Sequence, residues 1–232
     1  LAHTLLVTVP VPDRNGVVFG RVRGGGGGTI LLQLGEQVQK PALYDDWILV
    51  HEMTHLGAPF LTGRSSWVME GMATYLEPLI RTQAGWRSPA QLWQEFTSDM
   101  PRGTQALTVE SLDAVSRPGL YWGGAIFMLL ADLDIRQASG GKASLQTCLQ
   151  AVLRKGGDTT KRWSRERFFS VCDAATGTGT MAKLSARYAQ QASALDLAAL
   201  WRDLGRSNGP GGIRFDDAAP LAHLRRAIVT GS

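Results

Sequence analysis

The first forty residues carry the spacing of strands. Leu5–Val11 (LLVTVPV) and Val17–Val22 (VVFGRV) are rich in branched residues and bounded by turn signals at Pro12-Asp13 and Asn15-Gly16. Thr29–Leu34 (TILLQL) reads as a third strand, closed by Gly35. Before it lies a run of five glycines, Gly24–Gly28. It reads either as a hairpin loop or as a segment that lets a substrate backbone approach an edge strand. From Ala42 the apolar spacing becomes helical. Tyr44–Leu56 places Trp47, Ile48, Met53 and Leu56 at helical intervals, with Asp45 and Asp46 near its start, where acids suit the helix dipole. Further helices are expected over Ser66–Arg81 (bent at Pro78), Leu120–Ala138, Ala143–Arg154, Ser164–Cys172, Thr180–Gln191 and Leu195–Leu204. Gly209–Gly212 reads as a linker and Ala218–Ile228 as a short closing segment.

Strands come first and helices after, without an alternating βαβ rhythm, so the expected class is α+β. Three parts are expected: a sheet over 1–43, helices over 44–139 that carry the chemistry, and a helical lobe over 140–232.

Composition narrows this picture without redirecting it. In 232 residues, 44% apolar and 19% charged, there is enough chain to bury a core and too little charge for a disordered protein. The longest apolar run, Ala125–Ala131, has seven residues, short of the ~20 that a membrane helix needs. The net charge of +4 is mild and its bases are scattered, from Arg21 and Arg23 through Lys161, Arg162, Arg165 and Arg167 to Arg225 and Arg226. A nucleic-acid binder would show one dense stripe. Cys148 and Cys172 are too few for a disulfide scaffold or a four-cysteine zinc site. They either pair, in an oxidising compartment, or stay as buried thiols in a reducing one. The first alternative goes with an exported protein, periplasmic or secreted. The chain opens at Leu1 and shows no signal-peptide pattern, as a mature form or an excised fragment would.

The chemistry concentrates in His51-Glu52-Met53-Thr54-His55. Helix positions four apart share a face, so His51 and His55 can offer two imidazole nitrogens to one metal ion. Glu52, one step round, is placed to act as a general base on a metal-activated water. Catalytic zinc usually takes three protein ligands. Glu70 is the expected third, an acid beside Trp67, Val68 and Met69 that would be costly to bury without a cation. Gly71 next to it would let two helices pack closely. Glu77 is the competing acid, read as more exposed because it precedes Pro78. His3 and His223 stand alone and read as non-ligands.

HExxH followed by Trp67-x-x-Glu70-Gly71-x-Ala73-x-Tyr75-x-Glu77 resembles the gluzincin metallopeptidases. Within them the chain is similar to the glycyl aminopeptidase family, whose members often carry a PDZ domain. It is more distantly similar to the aminopeptidase N and leukotriene hydrolase family. Further blocks support the likeness: Leu120-Tyr121-Trp122-Gly123-Gly124-Ala125, Leu133-Asp134-Ile135-Arg136, Gly140-Gly141-Lys142-Ala143-Ser144-Leu145 and the closing Asp216–Ile228. The resemblance implies a thermolysin-like metallopeptidase catalytic domain that binds one Zn²⁺, with Tyr121 donating its hydroxyl to the tetrahedral oxyanion. Thr74, four residues after Glu70, falls where thermolysin-like enzymes place an acid that orients a zinc histidine; Asp46 and Asp113 are other candidates for that support. The implied substrate is a peptide or protein N-terminus, with amino- and endopeptidase modes both open. Gly27, Gly28 and Thr29 are the expected substrate-binding residues, on a strand that aligns the peptide.

The chain also departs from these families. Trp122-Gly123 stands where a polar residue and Lys are usual. Only 14 residues separate His55 from Glu70, fewer than in the aminopeptidase N group. The glutamate that binds a substrate's free amine in that group has no counterpart in Gly24–Leu34; Glu36 is the only nearby acid. Two other functions stay open: a zinc-bearing peptide-binding or scaffold module without turnover, and a hydrolase of a non-peptide substrate such as an epoxide.

Overall fold

The computed structural model describes residue 1 and residues 3–25, 27–116 and 119–231; Gly26, inside the glycine run, lies outside them. The fold is mixed α+β with a small sheet. The three strands expected from alternation form that sheet as β1 (Thr4–Val11), β2 (Val17–Arg23) and β3 (Gly28–Gly35). Their order is β1-β3-β2, with β1 parallel and β2 antiparallel to β3. The glycine run therefore connects an antiparallel hairpin. The strand expected to meet a substrate, β3, is the central one, and both its edges are taken.

One face of the sheet carries Ile30 and Leu32 of β3 and Gly20 and Val22 of β2, turned toward the helices. The other face carries Leu5, Val9 and Phe19, all exposed.

Helix α1 (Lys40–Asp45) and helix α2 (Ile48–Leu56) replace the single helix expected over 44–56. The break falls at Asp46, which is extended; its carboxylate accepts the Ile48 N–H at 2.7 Å. A short acidic side chain competes with helical backbone pairing by capping it, so it ends one helix and opens the next. Trp47 and Met53, expected on the apolar face, are exposed instead.

Helix α3 (Ser66–Gln83) runs through Pro78. Helix α4 (Pro89–Val109), in a stretch for which the apolar spacing above assigns no element, opens with a capping box between Ser88 and Gln91. It buries Leu92, Trp93, Phe96, Met100, Gly103 and Leu107. Helix α5 (Gly119–Ala138) crosses α3 and α4, and these three form the centre of the core. Tyr75 of α3 stacks on Phe96 of α4 and donates its hydroxyl to Asp132 of α5 at 2.9 Å. Asp132 in turn accepts from Arg136 Nε at 3.0 Å and from the Leu145 N–H at 2.8 Å, so the buried carboxylate is satisfied.

The crossing of α3 and α5 is closer than side chains allow. A Cβ placed on Gly71 would lie 2.2 Å from a Gly124 backbone atom, and one on Gly124 would lie 2.2 Å from the Trp67 carbonyl oxygen.

Helices α6 (Leu145–Arg154), α7 (Arg165–Thr176), α8 (Thr180–Tyr188), α9 (Leu197–Asp203) and α10 (Ala222–Thr230) surround that core. Two further pairs of strands are short: β4 (Phe60–Leu61) beside β5 (Arg162–Trp163), and β6 (Arg206–Gly209) with β7 (Gly212–Phe215). The last pair is a hairpin where the sequence suggests a linker; Gly209 and Gly212 pair across it and Pro210-Gly211 make the turn.

Cys148 of α6 and Cys172 of α7 form a disulfide across 24 positions. Closing a loop of that size removes about 3 kcal/mol of unfolded-state entropy. Reduction, or a Cys148→Ala/Cys172→Ala pair, is expected to lower the melting temperature by roughly 6–12 °C, read by calorimetry with and without reductant.

Candidate metal centre

Helix α2 and helix α3 meet with their polar residues facing each other. Helix α2 buries Val50, His51 and His55, and α3 sets Glu70 against the two histidines. His51 Nε2 lies 3.2 Å from Glu70 Oε2, and His55 Nε2 lies 3.6 Å from the same oxygen. The donor atoms of the three residues all fall within 4.8 Å of one another, and together they could hold a metal ion. Four ligand atoms set tetrahedrally at ~2.0–2.1 Å from zinc would lie roughly 3.3–3.4 Å apart, so the spacing in hand suits such an ion. Burial opposes ionisation of Glu70, yet hydrogen bonds and charge from His51 and His55 outweigh it and pull its carboxyl down to about 2. His55 Nδ1 is buried without a hydrogen-bond partner.

Around this cluster the rings are set edge to face. Trp47 meets His51 at 5.2 Å between centroids, and His51 meets His55 at 5.0 Å. Tyr121, in the first turn of α5, lies 6.2 Å from the His51 ring. Glu52 lines the same cavity as His55 and Glu70, and its Oε2 accepts the Val22 N–H of β2 at 2.6 Å. That contact depends on Gly20, because a Cβ there would lie 2.3 Å from Ile48 and 2.9 Å from Glu52. The missing side chain lets α2 sit against the free edge of the sheet.

Two cavities open on either side of the cluster, and His51, Trp47 and Tyr121 line both. The larger, about 840 Å³, lies between α3 and α4, with Trp86, Trp122, Thr74, Glu77 and Arg81 on its walls. The other, about 690 Å³, runs along β2 and the 159–162 loop and contains Glu52, His55 and Glu70.

The remaining candidates fall elsewhere. Gly27 precedes β3, and Gly28 and Thr29 begin it; none of them lines either cavity. The strand along the cleft is β2, which the sequence reading passed over because alternation does not reveal strand order. Thr74 Oγ1 is buried but has no hydrogen bond, to a histidine or otherwise. Asp46 caps α2, and Asp113 accepts from Trp67 Nε1 at 2.9 Å while pairing with Arg165.

Glu77 is 3% exposed, contrary to the expectation from Pro78, because α3 continues through that proline into the core. Arg81 Nη1 donates to it at 2.8 Å, and Arg81 Nη2 donates to the carbonyls of Tyr44 and Asp45 at the end of α1. Burial lifts the Glu77 carboxyl from 4.5 to about 7 against the pull of Arg81, and the nearby Glu95 adds to the rise. A folded-state value above the unfolded one means that its contribution to stability is full below about pH 4.5 and is lost as pH rises to about 7. The melting temperature should therefore decline across that window in the wild type and less steeply in Glu77→Gln. Parallel melting curves for the two proteins would refute this.

Neither a comparison with protein-family models nor one with curated proteins gives a match.

Proposed function

We propose that this chain is a zinc peptidase with a thermolysin-like catalytic domain. The observation that carries the reading is the convergence of His51, His55 and Glu70 with Glu52 and Tyr121 alongside, in a cleft with an unpaired strand edge. The buried, unpartnered His55 Nδ1 and the two imidazoles leaning on one carboxylate oxygen suit a cation better than a proton. Two histidines and a glutamate are a donor set suited to zinc. Zinc held there would act as a Lewis acid, lowering the pKa of water and polarising the carbonyl to be attacked.

The chain's own residues do the rest. Glu52 accepts a proton from the attacking water and returns it to the leaving amine. Tyr121 donates to the oxyanion as its charge develops. The outer edge of β2, apart from the Val22 N–H that Glu52 holds, pairs with the main chain of the substrate, a peptide or protein N-terminus, in the manner of an added strand. This reading agrees with the gluzincin motifs in the sequence, the glycyl aminopeptidase group above all. The Cys148–Cys172 disulfide favours an exported location. Among the described residues no helix is long and apolar enough to cross a membrane.

The test is metal analysis of the purified chain together with turnover of a mixed peptide library, before chelation, after it, and after zinc is restored. One zinc per chain, with cleavage that disappears and returns, supports the proposal. One zinc with no cleavage would replace it with a metal-bearing peptide-binding module.

A further inference from the structure

The two cavities beside the metal cluster differ in how their charges are balanced. On the α3–α4 side, the bases have acidic neighbours: Arg81 pairs with Glu77, Arg87 with Glu95 and Arg102 with Asp99. On the β2 side, Arg21, Arg23, Lys161 and Arg162 line the cavity. All four are exposed, and among the described residues none of them forms an ion pair. The acids of that cavity, Glu52 and Glu70, belong to the metal centre, where one divalent ion would balance their two negative charges. The lip of the cleft thus carries four positive charges; Asp158, in the same loop, offsets part of the Lys161 charge and also pairs with the Leu1 ammonium.

They come from two separate parts of the chain. Arg21 and Arg23 belong to β2, and Lys161 and Arg162 to the loop leading into β5. The fold joins them at one end of the cleft: a Cβ on Gly24, just past β2, would lie 2.0 Å from the Thr159 carbonyl oxygen. The loop is therefore seated directly on the end of the strand. Arg21 and Arg23 alternate with Gly20 and Val22 and reach the cleft around the outer edge of β2, beside Lys161 and Arg162.

We infer that the β2 side of the cleft selects a peptide carrying acidic side chains on that side of the bond it presents to the metal centre. The inference rests on the peptidase reading for the position of that bond, but the charge preference itself does not need turnover. Guanidinium groups suit carboxylates through paired hydrogen bonds, and the exposed ammonium of Lys161 adds a point charge. A substrate anchored by a free α-ammonium would meet these bases with the wrong sign. That fits the lack, noted in the sequence, of an acid to receive such a group. Acidic residues are drawn to a lip where bases outnumber acids, and the field also speeds encounter at low salt.

The test separates binding from chemistry. Labelled peptides of equal length, one with several Asp and Glu, one with Asn and Gln in their place and one with Lys, are titrated by fluorescence anisotropy against the full zinc-loaded chain carrying Glu52→Gln, which keeps the metal and turns peptides over slowly. The acidic peptide should bind about tenfold more tightly than its amide counterpart, a difference of ~1.4 kcal/mol. The preference should shrink at high salt, because these charges are solvent-exposed. Arg21→Glu combined with Lys161→Glu should reverse it, whereas Arg102→Ser, on the balanced side, should leave it unchanged. Equal affinity for acidic and neutral peptides overturns the inference, and if the zinc-loaded chain still cleaves the library, the peptidase reading survives alone. Preferential acidic binding without cleavage of any peptide supports the charge selection and sinks the peptidase reading. A single-stranded oligonucleotide that competes as well as the acidic peptide would overturn the peptide assignment in favour of a general polyanion site.

Discussion

On the peptidase proposal, Glu52→Gln should bind as much zinc as the wild type and cleave peptides about 10²–10⁴-fold more slowly, the range by which a positioned general base contributes. The reason lies in how the site divides its labour. His51, His55 and Glu70 form the candidate metal cluster, and Glu52, on the same helix as the histidines, shares their cavity while its Oε2 accepts the Val22 N–H of β2. An amide in place of the carboxylate keeps size and keeps an oxygen to accept the Val22 N–H, so α2 has no cause to move. What disappears is the ability to take up a proton. The measurement is kcat beside metal stoichiometry in both proteins. A variant that loses zinc would show that Glu52 supports the metal cluster. One that keeps both zinc and activity would show that the base is some other group.

The second large effect is expected at a position without a side chain. Gly71→Ala should cost about 3 kcal/mol or more and lower the melting temperature by roughly 6–12 °C. Two effects compete. Alanine in a helix interior gains up to ~1 kcal/mol over glycine by reducing the freedom of the unfolded chain. Against this, the new Cβ would meet Gly124 backbone atoms at 2.2, 2.4 and 2.6 Å, and backbone cannot swing aside. The clash wins, and α3 and α5 must separate. Since α3 carries Glu70 and α5 carries Tyr121, separation also shifts the proposed metal ligand relative to the proposed oxyanion donor. Turnover should fall further than the loss of folded protein explains. Gly57→Ala is the control: its nearest neighbour would be an ordinary 3.5 Å away, and little change is expected. A Gly71→Ala protein as stable and active as the control would refute the argument.

Local features were legible in the sequence and assembled ones were not. The histidine pair follows from four-residue spacing on a helix, and Glu70 from the cost of burying an acid in an apolar stretch; both depend on short-range geometry. The three strands were legible because β-branched runs bounded by turns need no partner to be recognised. Strand order was not, since alternation is the same for a central strand and an edge strand, and the chain passes from β1 to the far edge, β2, before β3 fills the middle. Helix α4 is broken up in sequence by Pro101 and Gly103, yet its apolar residues recur at three- and four-residue intervals behind Ser88-Pro89. That capping signal could have found it, together with the polar face that forms a wall of the larger cavity. Glu77 was misjudged because Pro78 suggested an interruption; a partner four residues on, Arg81, lets the acid remain inside. The basic lip had no local signature, because its two halves lie some 140 residues apart in the chain.

The sheet meets the helical part of the molecule chiefly through α2, while Leu5, Val9 and Phe19 on its far side stay exposed. Such a sheet has little apolar area holding it in place, so it belongs to the easily opened end of the stability range. Its hold depends on the helix that carries His51, Glu52 and His55. A ligand that joins α2 to α3 would therefore also fasten the sheet, by mass action on the closed form. Emptying the cluster would let the strands come away as a unit ahead of the α3–α5 core. Amide exchange and protease cutting would then begin at the strand that feeds the cleft, and the metal would govern the lifetime of the protein as well as its chemistry.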